Sequence, residues 1–316
     1  MAGWRSRRDL PGAVVIPPVV AGASRLGSVL PDGLAGRSRR ERELRTLDAL
    51  VEAGCTGFDL AASYQLGGTE RLFGEWLESR RLRDRVFLVG KGGHPYPGVR
   101  PNRLTAAALS EDLESSLRRL RIEKLDLYLL HRDFPGAPLE PIVRTLAAAH
   151  RAGKIGAWGV SNWSVARIEA LQAAARGEPL PPMAASSPHL SLVDWVRPPW
   201  TGSVSIAGPA GRDARAFHAR TRLPVLAWSP LGAGFLTSDE RGGCYGGPAN
   251  VARRERARSL ARERGWSVAQ VALAYLFSQP FPVSAVVAAS TGEKMRENVA
   301  AAGFRLTAGE VEALER

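Results

Sequence analysis

The stretch CTGFDLAASYQLGGTERLFGEWLESRRLRDRVFLVGK, residues 55–91, contains the unit that the rest of the chain repeats. A short apolar segment ends at Asp59, and a glycine-containing turn after it carries Tyr64. The pattern then predicts an amphipathic helix from Thr69 to Arg80 and a second apolar segment that ends at Lys91. This order favours a parallel sheet with an acid, a phenol and an amine where strands stop.

These three side chains can interact chemically if they lie together. A buried Asp59 beside Lys91 would keep the amine charged, and a charged amine beside Tyr64 would lower the phenol's pKa from about 10. Such a phenol can donate a proton near neutral pH. The structural alternative is a turn tyrosine, a strand-end acid and a solvated lysine, and the other strand ends decide between the two.

Strands and helices alternate along the remainder of the chain. The predicted strands cover Pro18–Gly22, a segment ending at Asp59, Val86–Lys91, Leu125–Leu130, Ile155–Val160, Pro181–Ser187, Leu223–Trp228 and Pro282–Ser290. The predicted helices cover Arg39–Ala53, Thr69–Arg80, Asn102–Leu120, Leu139–Ala152, Val165–Ala175, Ala210–Thr221, Arg253–Arg264 and Val268–Phe277. Eight such pairs indicate an α/β fold, a closed TIM (β/α)8 barrel. An open doubly wound sheet is the alternative, but no GxGxxG turn follows the first strand.

Composition indicates one large domain that spans residues 1–316, because the chain has 45% hydrophobic residues and no evident linker. Residues 1–15 are expected to form a flexible basic tail. No segment approaches the roughly 20 apolar residues of a membrane span, so a cytoplasmic protein without membrane association is expected. The 2 cysteines, Cys55 and Cys244, show no CxxC spacing and indicate neither a zinc site nor a disulfide.

The net charge of +12 raises the question of nucleic-acid binding. The arginines are spread over helix faces and do not form a patch with interleaved aromatic residues, so no nucleic-acid partner is expected. Anionic cofactors suit this charge equally well. The sequence leaves the oligomeric state open.

In a parallel barrel every strand ends on the same face, so the residues at the strand ends should surround one pocket. These residues are Asp59, Lys91, His131, Ser161, Asn162, Ser187, Trp228 and Ser290. A neutral His131 could donate a hydrogen bond to a substrate oxygen as charge develops there, although a strand-end histidine can also be purely structural. No metal is expected, because histidine, lysine and tyrosine with one carboxylate are not a usual ligand set.

Six motifs in this order resemble the aldo-keto reductases, in particular short bacterial members, over nearly the whole chain. They are GFDLAASY (57–64), VGK (89–91), LYLLHRD (127–133), GVSNW (159–163), WSPLGAGFL (228–236) and ASTGEKMRENVAA (289–301). The resemblance implies an eight-stranded barrel that uses NAD(P)H to reduce an aldehyde or ketone, or catalyses the reverse oxidation, without metal or flavin. It also implies that Tyr64 donates the proton, that Asp59 and Lys91 adjust the pKa of Tyr64, and that His131 orients the carbonyl.

The resemblance further assigns a cofactor site. Ser161 and Asn162 would bind the nicotinamide carboxamide, and Trp228 would stack on the ring. The pyrophosphate would lie on the turn formed by Ser229, Pro230, Leu231, Gly232 and Gly234. The adenosine segment would be Ser290, Lys294, Glu297 and Asn298, and a Lys294 pair with a 2′-phosphate favours NADP over NAD. NAD stays the alternative, because Thr291 stands where the family frequently has a basic residue.

Two positions depart from the family pattern. Ser187 stands where the family normally has a glutamine that contacts the carboxamide, and the first turn reads AGASRLG (21–27) where a Gly-Thr pair is commoner. The long C-terminal loop of some members is not expected here, so substrate choice is expected to fall to two loops. These loops carry His94, Tyr96, Trp195 and Trp200, which could contact a sugar-like carbonyl compound or could serve packing.

Two other functions are compatible with the same motifs. A regulatory or accessory subunit would bind the cofactor without turnover, and the complete set of four catalytic residue types argues against it. An epimerase or lyase would oxidise its substrate transiently and recycle the cofactor in place, so that product would form without net NADPH consumption.

Overall fold

The structure is a computed structural model that describes residues 14–29, 36–96, 102–239 and 243–316. The expected flexible tail, 1–15, lies outside the described residues except for Val14 and Val15. Within the described ranges, eight strands pair in parallel with their neighbours and close into a barrel, which confirms the predicted fold. They are β1 (Val19–Gly22), β2 (Gly57–Asp59), β3 (Phe87–Gly92), β4 (Leu125–Leu130), β5 (Ile155–Ser161), β6 (Ala185–Ser187), β7 (Val225–Trp228) and β8 (Val283–Val287).

Helices cover the outside of the barrel. In the described part of the chain they are α1 (Arg37–Glu52), α2 (Gly68–Arg80), α3 (Ala106–Leu120), α4 (Leu139–Arg151), α5 (Val165–Ala174), α6 (Arg212–Thr221), α7 (Pro248–Arg264), α8 (Val268–Phe277), α9 (Gly292–Ala300) and α10 (Ala308–Glu315). On α3 the spacing of Leu109, Leu113 and Leu117 places three leucines on one buried face. This face packs towards the sheet and leaves the charged residues of the helix outside.

Alternation along each strand divides the core into two layers. In β4, Leu127 and Leu129 point into the barrel, whereas Tyr128 and Leu130 point outwards under the helices. The inner layer consists of Val20, Phe87, Val89, Leu127, Leu129, Ala157, Ala185, Leu226 and Val286. Burial of each large aliphatic side chain contributes roughly 1.5–3 kcal/mol, so both layers stabilise the closed sheet.

Two predicted boundaries differ from the observed ones for local reasons. The sixth strand was predicted from Pro181 but begins only at Ala185, because proline has no N–H for the ladder. Helix α7 begins at Pro248, five residues before the predicted start at Arg253. Proline suits the first helical position, where an N–H would lack a partner in any case.

Candidate active site

A cavity of about 1140 Å³ opens at the face where the parallel strands end. Its lining includes the four residues expected to be catalytic, Asp59, Tyr64, Lys91 and His131. It also includes, from the expected cofactor site, Ser161, Asn162, Ser187, Trp228, Ser229, Pro230, Leu231, Gly234, Ser290, Lys294, Glu297 and Asn298. Gly232 does not line the cavity itself but lies between Leu231 and Ala233, which do. The barrel therefore brings the two predicted groups of residues to one cavity.

Asp59 and Lys91 form a buried ion pair at the ends of neighbouring strands. Lys91 Nζ donates to Asp59 Oδ1 at 2.7 Å and to the carbonyl of Leu60 at 2.8 Å. Burial on its own lowers the pKa of Lys91, but the charge of Asp59, followed by the interaction with Tyr64, acts against it and the net shift is upward. Lys91 is therefore an ammonium group at neutral pH.

Tyr64 lies in a short turn after β2, in which Gln65 and Leu66 have positive φ angles of 48° and 50°. Its hydroxyl donates to Asp59 Oδ2 at 3.4 Å, and Lys91 Nζ lies 4.7 Å from the centre of its ring. The expectation of a lowered phenol pKa is wrong for this structure. Burial raises the pKa of Tyr64 above 10 and outweighs the opposing charge of Lys91. The phenol is therefore protonated at neutral pH.

His131 follows β4 directly and is buried beside the phenol. Its ring lies 5.8 Å from the Tyr64 ring, nearly perpendicular to it, and its Nδ1 is 3.5 Å from Ser63 Oγ. Burial lowers the pKa of His131 well below 6.5, and the nearby charge of Lys91 acts in the same direction. The imidazole is therefore neutral and can donate one N–H to a ligand.

Three polar residues at the ends of β5 and β6 bond mainly to the protein itself. Ser161 Oγ donates to the carbonyl of Ser187 at 3.1 Å and accepts from Asn162 Nδ2 at 2.9 Å. Asn162 Oδ1 accepts from the backbone N–H of Val204 at 3.2 Å. Ser187 Oγ donates to the carbonyl of Leu226 at 2.8 Å, so its oxygen faces the cavity as an acceptor only. These bonds fix the three side chains before any ligand arrives.

Trp228 ends β7 and belongs to an aromatic cluster. Trp200 stacks on it with ring centres 5.5 Å apart and planes 23° apart. His189 and Trp195 also contact Trp228, with their ring centres 5.0 Å and 5.7 Å from its ring centre. The indole N–H of Trp228 is buried and has no hydrogen-bond partner among the described residues.

The segment after Trp228 is a tight turn with several positive φ angles. Ser229, Gly232, Ala233 and Gly234 have φ angles of 50°, 60°, 52° and 96°. The N–H groups of Gly232 and Gly234 donate to the carbonyls of Ser229 and Leu231. A turn of this kind orients further backbone N–H groups towards one side, which favours an anion.

Part of the cavity wall is formed around the start of α9. Thr291 caps this helix by accepting from the backbone N–H of Lys294 at 3.3 Å. The Lys294 side chain is exposed, whereas Asn298 is buried one turn later. Lys294 therefore presents an exposed charged group at the wall of the cavity.

The residues expected to contact substrate lie in different places. Trp200 lines the cavity and is half exposed, and the His94 ring lies 4.7 Å from the His131 ring. Tyr96 lies under the guanidinium of Arg103, at 5.9 Å, and does not line the described cavity. Trp195 does not line it either, because it is stacked on His189 at 4.7 Å with its ring packed against the core.

Three arginines of the cavity, the exposed Arg25 together with Arg132 and Arg258, were not among the predicted site residues. Arg132 stands next to His131 in the motif LYLLHRD, so its position at a strand end was the signal for it. Arg258 lies on α7 and pairs with Asp239 at 2.6 Å and Glu255 at 3.0 Å. Nothing in the helical pattern around Arg258 indicates that it faces the cavity.

Among the described residues, no three His, Cys, Asp or Glu side chains lie close enough together to hold a metal ion. The same residues contain no helix of the length and apolar character that crossing a membrane requires.

The sequence model of the Aldo/keto reductase family matches residues 18–316. An uncharacterized oxidoreductase of Mycobacterium tuberculosis is 33% identical over 285 residues, which cover 83% of this chain and 77% of that protein. Methylglyoxal reductase of Escherichia coli is 29% identical over 312 residues, covering 96% and 92%. The crystal structure of an aldo/keto reductase from Klebsiella pneumoniae in complex with NADP and acetate superposes with a TM-score of 0.71 at 29% identity, covering 95% and 91%. The chain therefore belongs to the aldo/keto reductase family, which confirms the resemblance of its motifs.

Proposed function

We propose that this protein reduces an aldehyde or ketone with NADPH and that Tyr64 donates the proton. The observation that carries the proposal is the position of the Tyr64 side chain, whose hydroxyl bonds to Asp59 and whose ring lies against Lys91 and His131. Family membership and the reductase names of relatives support the reaction class. The substrate is a small carbonyl compound.

The raised pKa of Tyr64 fits the direction of reduction. A protonated phenol is available as an acid throughout the neutral range. The alkoxide that forms when a carbonyl is reduced is a much stronger base than a phenolate, so it takes the proton from Tyr64 as its charge develops. The ammonium of Lys91 then stabilises the phenolate that remains, while Asp59 holds Lys91 in place.

His131 is suited to hold the carbonyl oxygen. As a neutral ring it donates one N–H, and it lies against Tyr64 so that both groups can face the same oxygen. Two donors on one oxygen stabilise the charge that develops there, in a cavity whose walls are largely buried. His131 orients the substrate in this scheme and does not itself supply the proton.

The cavity residues fit a reduced dinucleotide, which supplies the hydride when it is bound. The unpartnered N–H and the ring of Trp228 mark the place for a planar polar ring. Ser187, as an acceptor, complements the N–H₂ of a carboxamide, and Asn162 retains one N–H for its oxygen. The turn Ser229–Gly234 would hold the pyrophosphate.

We propose NADPH rather than NADH as the cofactor because of Lys294. Its exposed ammonium stands at the adenosine end of the cavity, where a 2′-phosphate would need a cation. The neighbouring structure from Klebsiella pneumoniae, which was crystallised with NADP, supports this preference.

The test is to follow NADPH absorbance with a panel of aldehydes and ketones for the wild type and Tyr64→Phe. We expect the variant to keep its affinity for NADPH and to lose turnover by about a hundredfold or more, the usual scale for a general acid. Equal turnover in the two proteins would remove Tyr64 from the reaction. NADPH binding with no turnover of any carbonyl in the wild type would favour an accessory subunit.

A further inference from the structure

Arg132 is a buried cation at the reacting end of the cavity. Its side chain follows His131 at the end of β4, lines the cavity and is only 7% exposed. Its Nη1 donates to the carbonyl of Gly202 at 3.1 Å, and its Cζ lies 5.5 Å from the centre of the Trp200 ring. The guanidinium is thus fixed between a loop carbonyl and an aromatic face.

This charge has no resident counter-ion. Among the described residues, no carboxylate lies within 4.0 Å of Arg132. The adjacent acid, Asp133, is bound by Arg167 at 3.1 Å. Burial of a cation without a partner is costly, and buried arginines in proteins are normally paired. Burial accordingly lowers the pKa of Arg132 to about 10, with Tyr64 alone acting in the other direction.

Two other cations that line the cavity are compensated by carboxylates. Lys91 is bound to Asp59, and Arg258 is bound to Asp239 and Glu255. His131 is neutral. A ligand that enters the reacting end therefore meets Arg132 as a buried positive charge without a described carboxylate partner, beside the groups that would hold its carbonyl oxygen. The other cavity cations without an ion pair in the described part of the chain, Arg25 and Lys294, are exposed to solvent.

We propose that Arg132 binds a carboxylate carried by the carbonyl substrate, so that the protein prefers aldehydes or ketones with an acidic group. This inference rests on the proposed reduction at Tyr64 and names its substrate class. A guanidinium has five N–H donors in a planar fork that matches a carboxylate, and the bond to Gly202 uses one of them. Trp200, which is half exposed, holds the guanidinium over its ring at the wall of the cavity.

The kinetic test uses two aldehydes of the same shape, 4-carboxybenzaldehyde and neutral 4-nitrobenzaldehyde. We expect Arg132→Gln to lower kcat/KM for the carboxylate by about tenfold to a hundredfold, mainly through KM, and to change the nitro compound by less than about threefold. Arg132→Lys should lower kcat/KM for the carboxylate by less, because lysine keeps the charge and lacks only the planar fork of donors. The matched control Arg144→Gln removes an exposed arginine of α4 and should change neither value.

Equal losses with both aldehydes would overturn the proposal, since a merely structural role of Arg132 affects every substrate alike. A loss of NADPH affinity in Arg132→Gln that matches the kinetic loss would overturn it as well, because the charge would then serve the cofactor. Thermal unfolding of each variant establishes that the fold is retained.

A binding experiment tests the carboxylate site independently of the proposed reduction. Tryptophan fluorescence of the NADPH-bound protein is titrated with benzoate and with neutral benzamide. Tighter binding of benzoate that is lost in Arg132→Gln supports the carboxylate site even if neither aldehyde is turned over. That outcome would reject the proposed reduction but support the carboxylate site at Arg132. Benzoate and benzamide binding that is unchanged by Arg132→Gln rejects the site whether or not the protein is a reductase.

Discussion

The Lys91 ammonium is held by Asp59 at 2.7 Å and at the same time lies 4.7 Å from the centre of the Tyr64 ring. The acid thus bonds to both the amine and the phenol, through its two different oxygens. A single carboxylate therefore sets the charge and the position of the two groups that would move a proton.

Replacement of Asp59 by asparagine should slow the reaction without loss of cofactor binding. Lys91 loses the charge that opposes its burial, so its pKa falls and it stabilises a Tyr64 phenolate less well. We expect kcat to fall about tenfold to a hundredfold. Asp48→Asn, which breaks an ion pair with Arg80 on the outside of the barrel, serves as control. An unchanged kcat in Asp59→Asn would contradict the assigned role.

The rate of reduction should be insensitive to pH across the neutral range. Tyr64 keeps its proton until the pH exceeds its raised pKa, above 10, and the pKa of His131 lies well below 6.5. We therefore expect kcat/KM at saturating NADPH to stay level from about pH 6.5 to 9 and to fall above about pH 10, as the acid is lost. A decline centred between pH 7 and 8 would show that the charge of Lys91 dominates over burial.

Buried histidines should make the fold sensitive to acid. His189 is fully buried between Ser205 Oγ at 2.9 Å and the Tyr245 hydroxyl at 3.1 Å, and burial lowers its pKa to about 3. Below about pH 6.5 the unfolded chain binds a proton that folded His189 does not. The unfolding free energy should therefore fall as the pH falls, by about 1.4 kcal/mol per pH unit for this group.

The variant His189→Gln tests that assignment. It should be less stable than the wild type at pH 7.5 because it changes two buried hydrogen bonds. Its unfolding free energy, measured by urea unfolding, should fall less steeply between pH 6 and 5 than that of the wild type. The difference in slope should correspond to about one proton. An identical slope in the two proteins would mean that His189 does not contribute to the acid sensitivity.

Lys294 should decide between the two nicotinamide cofactors. Lys294→Met removes the exposed ammonium from the proposed adenosine end, so we expect the Kd for NADPH to rise about tenfold and the Kd for NADH to stay within about twofold. Lys124→Met, on the outside of the barrel, is the matched control. Equal effects on both cofactors would assign the 2′-phosphate to another group.

The fold and much of the site could be predicted because both follow from periodicity. A parallel barrel places every strand end on one face, so Asp59, Lys91 and His131 converge whatever the loops do. The sign of the Tyr64 pKa shift could not be predicted, because it is a balance between burial and one nearby charge. The same limit applies to loop residues: Trp195 packs against the core while Trp200 reaches the cavity, and both sit in the same proline-rich segment.

The proposed reacting groups and Trp200, which lines the same cavity, are attached to the barrel in different ways. Asp59, Lys91 and His131 belong to strands or follow them directly, whereas Trp200 stands on the long excursion between β6 and α6. Sequence changes in that segment can therefore alter substrate selectivity without moving the proposed reacting groups. For an engineer, it is the segment to randomise first.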